Sequence, residues 1–286
     1  MVLLALGDMS LFQAIAHAMT TMPTGGFGTE ADSLAGFSAY TQWVVIAFML
    51  AAGVSFALHF RALRRPQAYL ENKEFAAYFS IVGLAVVIVA AGTWSLGGGV
   101  EERVRDAVFT AVTMVTGTGY ATANWAVWAP GLLLALLVFM FLGGMAGSTA
   151  GALKTYRLGI LYKTIGSNLK RIVYPNVVSV QRFEGKPVEP RLVHGVVAFF
   201  ILYVGFFVGG SILLGFLEPS LDLVTIGSAS ASAIGNIGPA LVELVPTSTY
   251  AGLGADSKLM LALLMVIGRL EIYPVVILLT HRWWRR

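Results

Sequence analysis

The chemistry this sequence can carry lies in its main chain. Three stretches, Leu11 to Thr29, Val104 to Thr122 and Leu223 to Leu241, align without gaps so that Gly26, Gly119 and Gly238 coincide. The first two also share Ala14/Ala107, Ala18/Ala111, Thr20/Thr113 and Thr29/Thr122, with Phe27 opposite Tyr120. Such recurrence marks one structural unit used several times. In each copy a run of small and apolar residues, enough for about three helical turns, leads into a Thr/Asn-x-Gly-aromatic/Pro segment. Glycine reaches backbone conformations closed to other residues, so such a segment can turn its carbonyl oxygens to one side. A ring of those oxygens replaces the hydration shell of a monovalent cation, and the negative C-terminal end of each preceding helix favours the same charge. The candidate cation ligands are Thr24, Gly25, Gly26 and Phe27, then Gly117, Thr118, Gly119 and Tyr120, then Asn236, Ile237 and Gly238 followed by Pro239. The plainer alternative, glycines serving helix packing or surface turns, accounts for one copy better than for three.

A second constellation is Gly143, Gly144, Gly147 and Gly151, with Ser148 and Thr149 between them, inside the apolar run Pro130 to Leu161. Unwound backbone there would offer carbonyl and hydroxyl oxygens to a passing cation; the alternative is a kink that lets helices approach. Arg269 lies in the last apolar run with Glu271 two residues on. Intramembrane charge costs about 2.5–3.5 kcal/mol on insertion scales, so such residues face a pore or a partner. A pore-facing Arg269 would raise an electrostatic barrier and hold the glycine-rich stretch through charge-assisted bonds to carbonyls. The alternative is a structural pair with an acid, and on a helix residues two apart do not share a face, which argues against Glu271 as that acid. Catalysis finds no support. There is no cysteine, His17, His59, His194 and His281 lack metal-ligand spacing, and GGMAGSTAG lacks the Lys-Ser/Thr ending of a phosphate loop.

The elements that must position these residues belong in lipid. The 286 residues are 57% hydrophobic and 12% charged, against about 45–50% and about 25% in soluble domains. Runs at Trp43 to Phe60, Phe75 to Leu96, Pro130 to Leu161, Leu192 to Leu217 and Leu259 to Leu279 approach or exceed the roughly 20 residues that cross a bilayer core. The net charge of +4 is concentrated. Arg61, Arg64, Arg65 and Lys73, the stretch Lys154 to Arg191, and Arg282, Arg285 and Arg286 hold 15 of 19 basic residues, which places those segments on the cytoplasmic side and makes nucleic acid an unneeded partner. The acidic linkers, with Glu30, Asp32, Glu101, Glu102, Asp106, Glu218, Asp222, Glu243 and Asp256, then lie outside. They are too long for simple turns, and a short helix that dips into the membrane and returns as extended backbone fits them. Non-helical backbone at membrane depth is tolerated only where protein buries it or where it lines a water-filled path.

At these residues the chain resembles the Trk/Ktr/HKT superfamily of potassium transporters, specifically its TrkH-type pore subunits. TTMPTGGFGT (Thr20 to Thr29), TGTGYATANW (Thr116 to Trp125) and SAIGNIGPAL (Ser232 to Leu241) resemble the second, third and fourth pore loops. FLGGMAGSTAGALKTYR (Phe141 to Arg157) resembles the gating stretch, and LLMVIGRLEIYPVVILL (Leu263 to Leu279) the last helix. The resemblance implies an all-α integral membrane fold of pseudo-fourfold helix, re-entrant pore loop, helix repeats, with one quarter absent. The divisions expected are 1–65 for a partial second repeat, 66–171 for the third and 172–286 for a cytoplasmic linker and the fourth. It also implies potassium as the transported ion, a gate formed by the glycine-rich loop, a multi-pass location in the cytoplasmic (inner) membrane, a homodimer, and a cytosolic nucleotide-binding regulatory subunit of the TrkA type. The departure is the missing first repeat: three loops cannot close a four-sided filter, so a fragment or a second polypeptide is expected. A secondary transporter of a small organic or anionic substrate is the competing class, but it would need helix N-termini at the site.

Overall fold

The computed structural model describes residues 1–174, 182–183, 186–244 and 250–280. Its helices are α1 (Val2–Ala5), α2 (Leu11–Thr21), α3 (Ala39–Ala52), α4 (Phe56–Arg64), α5 (Ala68–Glu71), α6 (Lys73–Thr93), α7 (Val100–Thr116), α8 (Pro130–Phe141), α9 (Thr155–Val173), α10 (Pro190–Leu217), α11 (Leu223–Gly235), α12 (Ala255–Arg269) and α13 (Tyr273–Leu279). Two-residue strands β1 (Arg182–Phe183) and β2 (Lys186–Pro187) pair antiparallel in the linker between α9 and α10.

Local signals set the helix starts. Ser10 and Gln13 form a reciprocal capping box at α2, and the side chains of Ser38, Asn72 and Asp222 accept first-turn N–H groups at α3, α6 and α11, satisfying donors that a helix leaves orphaned. Pro130 and Pro190 occupy the first turns of α8 and α10, where a missing N–H costs nothing. Glu101 and Glu102 sit in the first turn of α7 and complement its positive end.

The packing is that of a protein solvated by lipid. Helices α6 and α10, with 21 and 28 residues and apolar windows of mean hydropathy 2.3 and 2.4, are each long enough to span a bilayer. Their outward side chains, among them Leu84, Val87, Ile201 and Phe216, are uncovered by protein. Hydroxyls occupy the interior instead: Thr110, Thr113, Thr116, Ser228, Ser230 and Ser232 are fully buried on α7 and α11. Helix α7 packs on α3, α6 and α8, while α11 packs on α8, α10 and α12. Thus α3 covers the next short helix, α7, and α8 covers the next, α11, so the same relation is used twice around an axis.

Two expected spans are not single helices. The run Trp43 to Phe60 splits at Gly53 into α3 and α4, bent by 96°, and the run Leu259 to Leu279 splits into α12 and α13, bent by 113°. At the second break Pro274 cannot donate to the carbonyl four residues back, and Glu271 and Ile272 take positive φ of 57° and 60°. At the first, the Gly53 carbonyl accepts from Met145 N at 2.8 Å rather than from its own helix. The interruption expected in Pro130 to Leu161 runs between α8 and α9, and α9 continues to Val173. The basic residues Arg282, Arg285 and Arg286, and His281, lie outside the described residues.

Candidate functional site

The three glycine segments share one backbone construction. Each short helix closes with a residue in the left-handed region, Thr24 at φ 54°, Gly117 at 69° and Asn236 at 56°. That residue's N–H donates three residues back, to Thr21, Met114 and Ala233 carbonyls at 3.0, 3.3 and 3.1 Å. The next N–H, from Gly25, Thr118 and Ile237, donates five back, to Thr20, Thr113 and Ser232 at 2.7, 3.0 and 3.0 Å. This is the Schellman closure of a helix C-terminus. Two residues beyond the closure, Gly26, Gly119 and Gly238 return to positive φ, at 66°, 87° and 116°. All three helices therefore end, negative pole first, where the glycine segments begin.

The segments meet one another through backbone. A methyl group built on Gly26 would lie 1.8 Å from the Thr118 carbonyl oxygen, and one built on Gly119 would lie 1.8 Å from that of Ile237. At these two positions only glycine admits the neighbouring strand. Tyr120, fully buried, reaches back from the second segment: its hydroxyl is 2.6 Å from Thr20 Oγ1, which donates to the Phe27 carbonyl at 2.9 Å. His17, also buried, packs against Tyr120 and Phe37 and meets Thr29 Oγ1 at 3.3 Å. The arrangement is open on one side. Nothing lies within 4 Å of a methyl group on Gly238, Phe27 is 71% exposed, and both line a cavity of about 740 Å³ that extends from Tyr250 and Lys258 to Arg269.

The glycine-rich loop between α8 and α9 lies at the inner ends of all three segments. A methyl group on Gly151 would be 2.1 Å from the Gly235 carbonyl, and one on Gly117 would be 3.8 Å from Gly151 N. The Thr149 carbonyl accepts from Thr24 Oγ1 at 3.1 Å and from Arg269 Nη1 at 3.3 Å, and Thr149 Oγ1 donates to the Met22 carbonyl at 3.0 Å. Ser148 Oγ turns back to the Met145 carbonyl. Gly144 is pressed to the Gly53 carbonyl, Gly143 to those of Gly151 and Leu153, and Gly147, at φ 76°, faces Ser55. The Gly147 carbonyl accepts from Phe56 N at 3.1 Å. The loop is thus strapped to the break in α3/α4 on one flank and to the end of α12 on the other.

Several parts of this strap are not evident in the sequence. Glu74, near the start of α6, accepts from Ala146 N at 2.7 Å; an acid buried at the head of an apolar helix is the signal that marks it. Gly268 lets α12 touch the Ile234 carbonyl, where a methyl group would sit at 1.9 Å. Glu271 bonds Lys154 at 3.0 Å and Arg157 at 2.5 Å, and Arg157 stacks over Phe199 at 3.9 Å. Lys154 and Arg157 therefore turn inward to an acid, where topology alone would leave them among lipid headgroups. Among the described residues no group of histidines and acids could hold a metal ion.

The sequence profile of the family TrkH, Cation transport protein, matches residues 4–83 and 98–283. The Trk system potassium uptake protein TrkI of Halomonas elongata is 33% identical over 290 residues, covering 98% of this chain and 58% of the relative. The Trk system potassium uptake protein TrkH of Escherichia coli K12 is 30% identical over 282 residues, covering 97% and 58%. The crystal structure of the potassium transporter TrkH from Vibrio parahaemolyticus superposes with a TM-score of 0.92 at 31% identity, covering 99% of this chain and 61% of that one. The chain thus spans about three fifths of the length of the relatives it matches. With that match running through every glycine segment and the broken helix, the chain belongs to the TrkH family of cation transport proteins.

Proposed function

We propose that this chain forms three sides of a potassium uptake pathway across the cytoplasmic (inner) membrane. The observation that carries this reading is the threefold Schellman closure followed by a positive-φ glycine, with the neighbouring strands in backbone contact. Helix C-termini directed at carbonyl-rich strands favour a cation and disfavour an anion. Potassium is the ion because relatives of about 30% identity are named for its uptake. The filter ligands are the backbones of residues 24–27, 117–120 and 236–238. The gate is the loop through Gly143, Gly144, Gly147, Ser148, Thr149 and Gly151, with Arg269 as its electrostatic pin. The repeats divide at about residues 65 and 171. The basic surface of α9 is offered to a cytosolic nucleotide-binding regulatory subunit, and the assembly is a homodimer.

The test is flux through the complete protein in liposomes, using rubidium as a potassium tracer against sodium, chloride and small organic acids. Rubidium uptake that sodium competes with poorly, and that Gly119→Ala abolishes or renders unselective, supports the reading. Uptake of an organic anion without cation flux overturns it.

A further inference from the structure

Gly238 is held differently from the other two filter glycines. Gly26 and Gly119 are wedged against a neighbouring carbonyl, whereas the space beside Gly238 is open and its φ of 116° lies where the backbone turns easily. Its polar groups are instead fixed by side chains. The Gly238 N–H donates to Ser232 Oγ at 2.9 Å. The Gly238 carbonyl accepts from the Tyr250 hydroxyl at 2.9 Å. Tyr250 is itself tied into the structure by the turn it starts. It opens a single turn, Tyr250–Gly252, which Lys258 Nζ grips at the Ala251 carbonyl at 2.7 Å, and Glu218 clamps the chain just beyond through Gly254 N and Ser257 Oγ, both at 2.7 Å.

We propose that Tyr250 is a specificity-determining positioning residue, whose hydroxyl fixes the direction of the Gly238 carbonyl and so the cation discrimination of the third filter side. This rests on the reading of the glycine segments as a cation filter. A hydroxyl donated to a carbonyl fixes the carbonyl dipole and occupies one of its two lone pairs. Without it, the Gly238 peptide is free to rotate, and a cage whose oxygens move adapts to a smaller ion. Neighbouring backbone supplies that constraint at Gly26 and Gly119; at Gly238 the Ser232 and Tyr250 hydroxyls supply it.

The test compares Tyr250→Phe, Ser232→Ala and their double variant in the complete protein in liposomes, reading rubidium uptake with and without competing sodium. One hydrogen bond is expected to shift potassium-over-sodium discrimination by about two- to tenfold. The expected result is that loss in both single variants, at least as large a loss in the double, and an unchanged melting temperature. Discrimination at the parental level in Tyr250→Phe and Ser232→Ala, while Gly119→Ala loses it, overturns the role of Tyr250 and leaves the filter reading standing. Parental discrimination in all of them, Gly119→Ala included, overturns both.

Discussion

Gly117 and Gly119 are two residues apart, both at positive φ, and substitution should treat them differently. At Gly117 the equivalent positions are filled by Thr24 and Asn236 at nearly the same φ, and a methyl group there makes only ordinary contacts, the nearest at 3.7 Å. The position requires a left-handed backbone and little else. Asparagine adopts that conformation readily, so Gly117→Asn is expected to cost under about 1 kcal/mol, whereas Gly117→Ala carries the full strain of about 1–2 kcal/mol. At Gly119 the same strain is joined by overlap with the Ile237 carbonyl, an overpacking cost of about 1–3 kcal/mol. Melting temperatures in detergent with potassium present should therefore fall in the order Gly117→Asn, Gly117→Ala, Gly119→Ala. A Gly119→Ala protein as stable as Gly117→Asn would mean that the two strands are not in contact.

At the scale of elements, the broken helix is a strap held at both ends by breaks in other helices. Its inner end depends on Glu271, which neutralises Lys154 and Arg157 while their side chains are only 19% and 14% exposed. Glu271→Gln strands two cations at the start of α9. With Glu271 itself 46% exposed, the cost falls between that of surface and buried pairs, about 1–2 kcal/mol. The expected outcome is faster resting flux with selectivity retained, read in the same liposomes; slower or unselective flux would place Glu271 elsewhere in the mechanism. The outer end of α12 has a titratable anchor. Hydrogen bonds from Gly254 N–H and then from Ser257 hold the Glu218 carboxyl below its ordinary value of 4.5. A lowered carboxylate stabilises the fold above its unfolded value and loses that contribution as pH falls through the folded one. Acidification below pH 4.5 should therefore loosen the Tyr250 turn, and Glu218→Gln should flatten that part of the melting-temperature profile. The bends themselves were not read from the sequence, although Pro274 is a visible signal for the second. Lipid makes both limbs of a bent helix apolar, so Trp43 to Phe60 and Leu259 to Leu279 read as unbroken, and the group that captures the Gly53 carbonyl, Met145 N, comes from another repeat. The glycine-rich interruption was legible because four glycines in nine residues oppose a continuous helix.

At the scale of the molecule, the shared backbone register of the three glycine segments was legible because the ungapped repeat already superposed Gly26, Gly119 and Gly238. Tyr250 and Glu74 were not, since neither lies in a repeated stretch and each acts across the fold. The sequence also left open how three copies meet, and their geometry supplies a direction. Gly26 and Gly119 each face the following copy, Gly26 at Thr118 and Gly119 at Ile237, while the residue after the glycine, Tyr120 or Pro239, touches the preceding one. By that rule the open side of Gly238 and the exposed ring of Phe27 are the two edges at which a further copy would pack. A fourth helix, pore loop and helix would set a carbonyl against Gly238 and cover Phe27. The chain contains no cysteine, so single-cysteine labelling tests this without background. Phe27→Cys should react quickly with a membrane-impermeant thiol reagent applied outside when only these 286 residues are expressed. It should become at least about tenfold slower when a segment completing the ring is supplied, because burial rather than intrinsic reactivity then governs access. Arg64→Cys, on the flank that its basic cluster assigns to the cytoplasm, should stay unreactive from outside in both cases. Equal labelling of Phe27→Cys in the two preparations would show that the sector beside Gly238 is not where a fourth segment seats.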